Sequence, residues 1–274
     1  MAVLESHNGY YLWQYIPSKA AGGIFATLFL LAIIAHSWRL LKTRTWSCIA
    51  FLIGGIFEFI GYVARCSAHD KTGELMPYII QSVLLLVAPA LFAASIYMTL
   101  GRVIRCVKGE EYSLVRVNWL TKIFVLGDVL SFMVQAGAAG MMVSGNNASM
   151  GENIIVAGLF IQIIMFGLFM ATALVFQIRI CRHPTTESYT VEAPWKETMQ
   201  MLYGVSVLIM VRSIFRVVEY RQGQDGYPLT HEWTLYIFDA LLMFIVMVIF
   251  YFWYPSRIIP APLDPDALQM NTRC

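Results

Sequence analysis

Residues 199–220 read Met199-Gln-Met-Leu-Tyr-Gly-Val-Ser-Val-Leu-Ile-Met-Val-Arg-Ser-Ile-Phe-Arg-Val-Val-Glu-Tyr220. A bilayer-crossing helix needs about 20 mostly apolar residues, and this run meets that length. Yet it carries Arg212, Arg216 and Glu219 in its last turns. At about 3.6 residues per turn, those three fall on one stripe of the helix. Each such charge costs roughly 2.5–3.5 kcal/mol at a membrane helix centre, and less toward its ends. The rest of the chain must supply what compensates them.

Working outward, apolar segments recur at Lys19–Trp38, Ser47–Arg65, Tyr78–Val103, Trp119–Val143, Asn153–Gln177 and Trp233–Tyr254, flanking the run Thr198–Tyr220. The composition agrees: 58% of the residues are hydrophobic and only 13% charged, against about 25% charged in soluble domains. The expected fold is an all-α membrane protein, a bundle of seven transmembrane helices. No connection is long enough to fold alone, so one transmembrane domain is expected over 18–255, with short tails at 1–17 and 256–274. The first seventeen residues lack a basic region followed by an apolar core, so no cleavable signal peptide is expected there. The five cysteines show no paired spacing and read as free thiols. A net charge of +2 gives no nucleic-acid footprint.

Lysine and arginine set the expected orientation. Arg39, Lys42 and Arg44 follow the first segment; Arg102, Arg105, Lys108, Arg116 and Lys122 follow the third. Arg179, Arg182 and Lys196 follow the fifth, and Arg257 and Arg273 lie in the tail. All of these fall on one side of the bundle, which places the N-terminus outside and the C-terminus in the cytosol. Asn147-Ala-Ser149 then lies in an outer loop as a glycosylation sequon at Asn147.

The embedded polar residues follow helical spacing. The second segment carries Glu58, Tyr62 and Arg65 on one stripe, and the seventh carries Glu232, Tyr236 and Asp239. The fourth has Asp128, Ser131 and Gln135 on a face shared with Gly127 and Ala138, small residues that admit a neighbouring backbone. Gln81 lies in the outer turns of the third segment, whose middle holds Pro89, a residue that removes a helix hydrogen bond. Five acids (Glu58, Asp128, Glu219, Glu232, Asp239) therefore accompany three arginines (Arg65, Arg212, Arg216). Intramembrane ionisable groups mark ligand or ion paths, or hold helices in register as ion pairs. The expectation is a polar interior opening outward, with Arg212 and Arg216 as its basic wall and Glu58, Asp128 and Asp239 as its acidic wall. Substrate-binding candidates are Glu58, Tyr62, Arg65, Gln81, Asp128, Gln135, Arg212, Arg216, Glu219, Glu232, Tyr236 and Asp239.

Several stretches together resemble the fungal lipid-translocating exporter family, the seven-span proteins associated with resistance to toxic sterol analogues. They are Tyr15–Ala20, Glu58–Arg65, Ala88–Tyr97 with Gly101 and Arg102, Gly127–Gln135, Arg212–Tyr220, and Glu232 with Tyr236–Asp239. The resemblance implies a fungal multi-pass protein of the plasma membrane, with the endoplasmic reticulum or another internal membrane as the alternative. It also implies export or translocation of amphipathic molecules such as sphingoid long-chain bases, sterol analogues, porphyrins and related toxins.

Expected partners are membrane lipids and an amphipathic small-molecule substrate, with no obligatory protein partner and no cofactor. The chain contains no GxxxxGK[ST] run to hold a nucleotide's phosphates. The rival reading is a seven-span sensor for an amphipathic ligand, although the last segment has neither a lysine nor an Asn-Pro-x-x-Tyr sequence. An intramembrane zinc hydrolase needs several histidines beside carboxylates. Only His36 falls near the membrane interior, far from the acids, so neither catalytic residues nor a metal site are expected.

Overall fold

The computed structural model describes residues 13, 15, 17–69, 72–143, 148–185, 195–222 and 226–255. Among these residues, seven helices are long and apolar enough to cross a membrane, making the chain an integral multi-pass membrane protein. They are α1 (Lys19–Thr43), α2 (Ile49–Ala68), α3 (Leu75–Cys106), α4 (Val117–Val143), α5 (Ala148–Arg182), α6 (Trp195–Gln222) and α7 (Glu232–Phe252). A 3-10 turn, Trp46–Cys48, leads into α2. No strand occurs among the described residues.

The apolar segments set the helices, but several run past the sequence-based limits. α5 has 35 residues and α3 has 32, about 52 and 48 Å at 1.5 Å per residue. A hydrocarbon core is only about 30 Å thick. The extra turns carry Arg105, or Arg179 and Arg182. Hydropathy falls at these residues, but arginine is a good helix former and the helix continues.

The helices run up and down, and sequential neighbours pack together throughout. α3 sits centrally, against α2, α4 and α6. α1 is the least buried span; it packs along α2 and is tied to α7 at both ends. At one end the Ser18 N–H donates to Glu232 Oε1 at 2.8 Å. At the other, Arg39 donates to the Tyr251 carbonyl and lies over the rings of Tyr251 and Tyr254. His36 Nε2 pairs with the Met247 carbonyl at 3.0 Å between these ends. The two faces of the bundle are called below the Ser18 face and the Arg39 face.

Lipid-facing flanks are apolar, with Ile24, Leu31 and Ile34 exposed on α1 and Ile164 and Leu168 on α5. Trp38, Trp46, Trp119, Trp233 and Trp253 stand exposed near helix ends, where amphipathic rings suit the headgroup layer.

Glycine decides one helix seam. A Cβ on Gly54 would meet the Phe92 ring at 2.8 Å and the Ala88 carbonyl oxygen at 3.0 Å. Backbone cannot yield as a flexible side chain does, so α2 and α3 close only because Gly54 has no side chain. Gly54→Ala is expected to lower stability by about 1–3 kcal/mol, the usual cost of overpacking. Gly23→Ala, where nothing lies within 4 Å, is expected to be neutral or to gain up to about 1 kcal/mol. Thermal unfolding of the detergent-purified variants checks the contrast.

Candidate functional site

The polar stripes of α2, α6 and α7 meet, and most of their charges pair with one another. Arg65 Nη2 binds Glu232 Oε1 at 2.9 Å, joining α2 to α7. Arg212 Nε binds Asp239 Oδ1 at 2.5 Å, joining α6 to α7. Arg216 Nη1 binds Glu219 Oε2 at 2.7 Å within α6, one turn away. Arg65, Arg212, Arg216, Glu219 and Asp239 are all buried, and only Glu232 retains partial exposure, at 20%.

Two backbone irregularities serve Arg212. Pro89 has no N–H to give the carbonyl four residues earlier, so the Leu85 oxygen lacks its helix partner. Arg212 Nη2 donates to that oxygen at 2.5 Å, satisfying it from a neighbouring helix. In α7, residues Tyr236–Leu241 form a π-helical segment. This widened turn holds both Tyr236 and Asp239, residues that a regular helix from Glu232 already places on one stripe. Such bulges are frequent at functional sites.

Glu58 stands apart from the pairs. It is 0% exposed, and neither carboxylate oxygen has a hydrogen-bond partner. The charged groups facing it are Asp239 from α7 and Arg212 and Arg216 from α6. Both arginines already bind an acid. Tyr62, one turn along α2, is equally buried, and its hydroxyl is also unpartnered. Its ring stacks on Phe29 of α1 at 5.5 Å, and Phe25 stacks on Tyr236 at 5.3 Å. These rings form an aromatic seam between α1, α2 and α7.

On the Ser18 face, the cluster is covered at Arg65. Trp13 and Tyr15 lie over Arg65, whose guanidinium sits 5.4, 5.5 and 5.2 Å from the rings of Trp13, Tyr15 and Tyr236. Arg65 also donates to the Tyr15 hydroxyl at 2.7 Å and to the Tyr236 hydroxyl at 3.0 Å. Burial raises the Tyr15 phenol above its ordinary pKa, against the opposing pull of Arg65. Three rings and a carboxylate enclose the cation because a buried guanidinium needs every available partner.

The candidates on α4 do not join this cluster. Asp128 accepts from the Tyr97 hydroxyl of α3 at 2.9 Å, away from the arginines. The single acidic wall expected from the sequence is therefore divided, because similar depth on two helices does not fix which way each stripe faces. Gln135 lies in the α4–α5 seam, donating to Ser131 Oγ at 3.0 Å and reaching Gln162 at 3.5 Å. Ser131 in turn donates to the Gly158 carbonyl. A Cβ on Gly158 would meet Gln135 at 2.7 Å, so this glycine admits the polar seam. The small face of α4 packs inward as its sequence implies, with Ala138 buried. Gln81 is buried on α3, with its Oε1 unpartnered. Asn147 lies outside the described residues. Among those residues, no group of three or more His, Cys, Asp or Glu converges to hold a metal ion.

Sequence reasoning passed over Tyr97, Trp13 and the Leu85 carbonyl. The last was readable, since Pro89 frees the oxygen at position 85 by rule. The Tyr97 contact depends on how α3 and α4 face each other.

A family model described as RTA1 like protein matches residues 51–262. Protein RTA1 of Saccharomyces cerevisiae is 37% identical over 273 residues, covering 90% of this chain and 86% of that protein. Protoporphyrin uptake protein 1 of the same yeast is 34% identical over 278 residues, covering 89% and 91%. Its sphingoid long-chain base transporter RSB1 is 26% identical over 279 residues, covering 85% and 73%. No solved structure matches the chain.

Removing Arg212 is expected to leave Asp239 buried without its cation and the Leu85 carbonyl unsatisfied. Arg212→Met should cost about 3–5 kcal/mol, as for a buried pair that loses one partner. Arg212→Met with Asp239→Leu should cost less than the sum of the single changes, because the stranded acid goes too. Melting temperatures of the four proteins in one detergent form the double-mutant cycle that checks this.

Proposed function

The chain belongs to the RTA1-like family, and on that premise we propose that it translocates amphipathic, lipid-like molecules bearing a cationic head group. One observation carries the choice of head group. Every arginine in the cluster is bound to an acid, whereas Glu58 is buried with both oxygens free. Among Glu58, Glu219, Glu232, Asp239 and the three arginines, the acids outnumber the cations by one. A protonated amine fits that remainder, and its N–H groups supply what the Glu58 oxygens lack. An anionic head would face acids without a spare cation.

The relatives' names support transport in general and differ in cargo, one being a long-chain base transporter and another a porphyrin uptake protein. Among such cargoes the Glu58 site favours an amine on a long apolar tail. The aromatic seam of Phe25, Phe29, Tyr62 and Tyr236 lies beside it, at the joint between α1 and the rest of the bundle. In this reading the tail travels along that joint, where α1 is the span least buried by its neighbours. Tyr15 and Trp13 close the Ser18 face over Arg65, so access from that face requires their displacement. We read the Ser18 face as external and the Arg39 face as cytosolic, from the arginines and lysines that follow α1, α3 and α5.

Glu58→Gln keeps the size of the side chain and removes its capacity to ionise. Cells expressing it at wild-type surface levels are expected to lose tolerance to a toxic long-chain base, and vesicles holding it to lose flux of that base. Full tolerance and flux in a well-expressed variant would contradict the assignment. A ligand-dependent cellular response with no flux from the wild type would favour a sensor instead.

A further inference from the structure

Asp128 is a second buried acid that no arginine serves. It is 4% exposed on α4, its Oδ2 accepts from Tyr97 at 2.9 Å, and its Oδ1 has no hydrogen-bond partner. The helices around it bring no countercharge. α3 offers Tyr97, itself packed against Phe124 of α4 and Phe166 and Phe169 of α5 at 4.5–6.1 Å. α5 presents Met165 at the neighbouring Gly127. On α4 itself, Lys122 sits near the Arg39 face, over the Trp119 ring. Tyr97 is the one titratable side chain acting on Asp128 among the described residues.

A carboxylate buried with one oxygen unpartnered and no cation beside it is costly, and such groups neutralise by taking a proton. With the proton on Oδ1, Asp128 is neutral, and Oδ2 still accepts from Tyr97. Ionised, it needs water or a cation, and none of the side chains acting on it supplies a positive charge. The movable part is in view. α3 carries both Leu85, tied to Arg212, and Tyr97, tied to Asp128, with Pro89 between them. Twelve residues separate the two contacts, about 18 Å along the helix. A bend at Pro89 would part Tyr97 from Asp128 while the Leu85 contact holds, or the reverse.

We propose that Asp128 is a proton-binding site, loaded while Tyr97 covers it and emptied to water when α3 bends at Pro89, and that it couples transport to a proton gradient. The step is a plain acid dissociation: the Oδ1–H bond forms with a proton from water and returns it to water. The coupling rests on the transport reading; the proton site does not.

Infrared difference spectroscopy of the full-length protein in lipid tests the site alone. Asp128→Asn is expected to remove a protonated-carboxyl band that Glu58→Gln leaves in place. Tyr97→Phe is expected to shift that band upward, since its C=O loses a donor. Should Asp128→Asn fail to fold, the Tyr97→Phe shift still decides. All carboxyl bands unchanged in both variants would mean that Asp128 is ionised, overturning the proposal. Vesicle flux of a fluorescent long-chain base then tests the coupling. A gradient of one pH unit supports about tenfold accumulation in a one-proton cycle. The ratio of accumulation with and without the gradient is expected to reach that order in the wild type and to fall to unity in Asp128→Asn. An equal ratio in both proteins overturns the coupling. Absence of wild-type flux refutes the transport reading and the coupling, and leaves the infrared result to judge the proton site.

Discussion

The bundle's charged interior hangs on Arg212. Its guanidinium holds Asp239 of α7 with one nitrogen and the Leu85 carbonyl of α3 with another. Three helices are thereby fixed relative to one another through one side chain that is 2% exposed. A cation this deep in a membrane protein is tolerated only where carboxylate and carbonyl oxygens replace its water. Pro89 frees the carbonyl, and the π-helical turn of α7 holds the carboxylate. Each feature alone weakens its own helix; together they complete the coordination of Arg212.

That arrangement uses up the positive charge. With Arg65 and Arg216 also committed to acids, Glu58 is left as the acid of this cluster to which no arginine is bound. Gly54 and Gly61 flank it on the same face of α2, and a Cβ on either would strike α3. α2 therefore brings the acid close against α3 at the level of Leu85. A structural ion-pair network has no use for an unpaired member, since each unmatched buried charge detracts from stability. On the proposed reading, this excess acid is the group that a ligand's cation completes.

Much of this was legible in the chain. The seven spans follow from apolar runs, and the stripes Glu58–Tyr62–Arg65, Arg212–Arg216–Glu219 and Glu232–Tyr236–Asp239 follow from helical period. Burial of the α4 face followed from Gly127 and Ala138. The partners within the cluster were not legible, because periodicity gives a residue's side and depth on its own helix and says nothing of how that helix is turned toward others. Asp128 shows the consequence: its depth suggested one acidic wall, but its helix turns it to Tyr97. The cover over Arg65 was hidden for a different reason. Trp13 and Tyr15 precede the first span in a segment with no period to read, and their role depends on where α2 delivers its arginine.

The measurement that bears most directly on the account is a binding comparison on the purified wild-type protein in lipid nanodiscs. A long-chain base with a free amine is titrated calorimetrically beside the same molecule N-acylated, which keeps the tail and hydroxyls and removes the positive charge. The account predicts saturable binding of the amine, and no competition from the acylated form at the same concentrations. Equal affinity for the two would contradict it, because the free carboxylate of Glu58 would then have no part in recognising the head group.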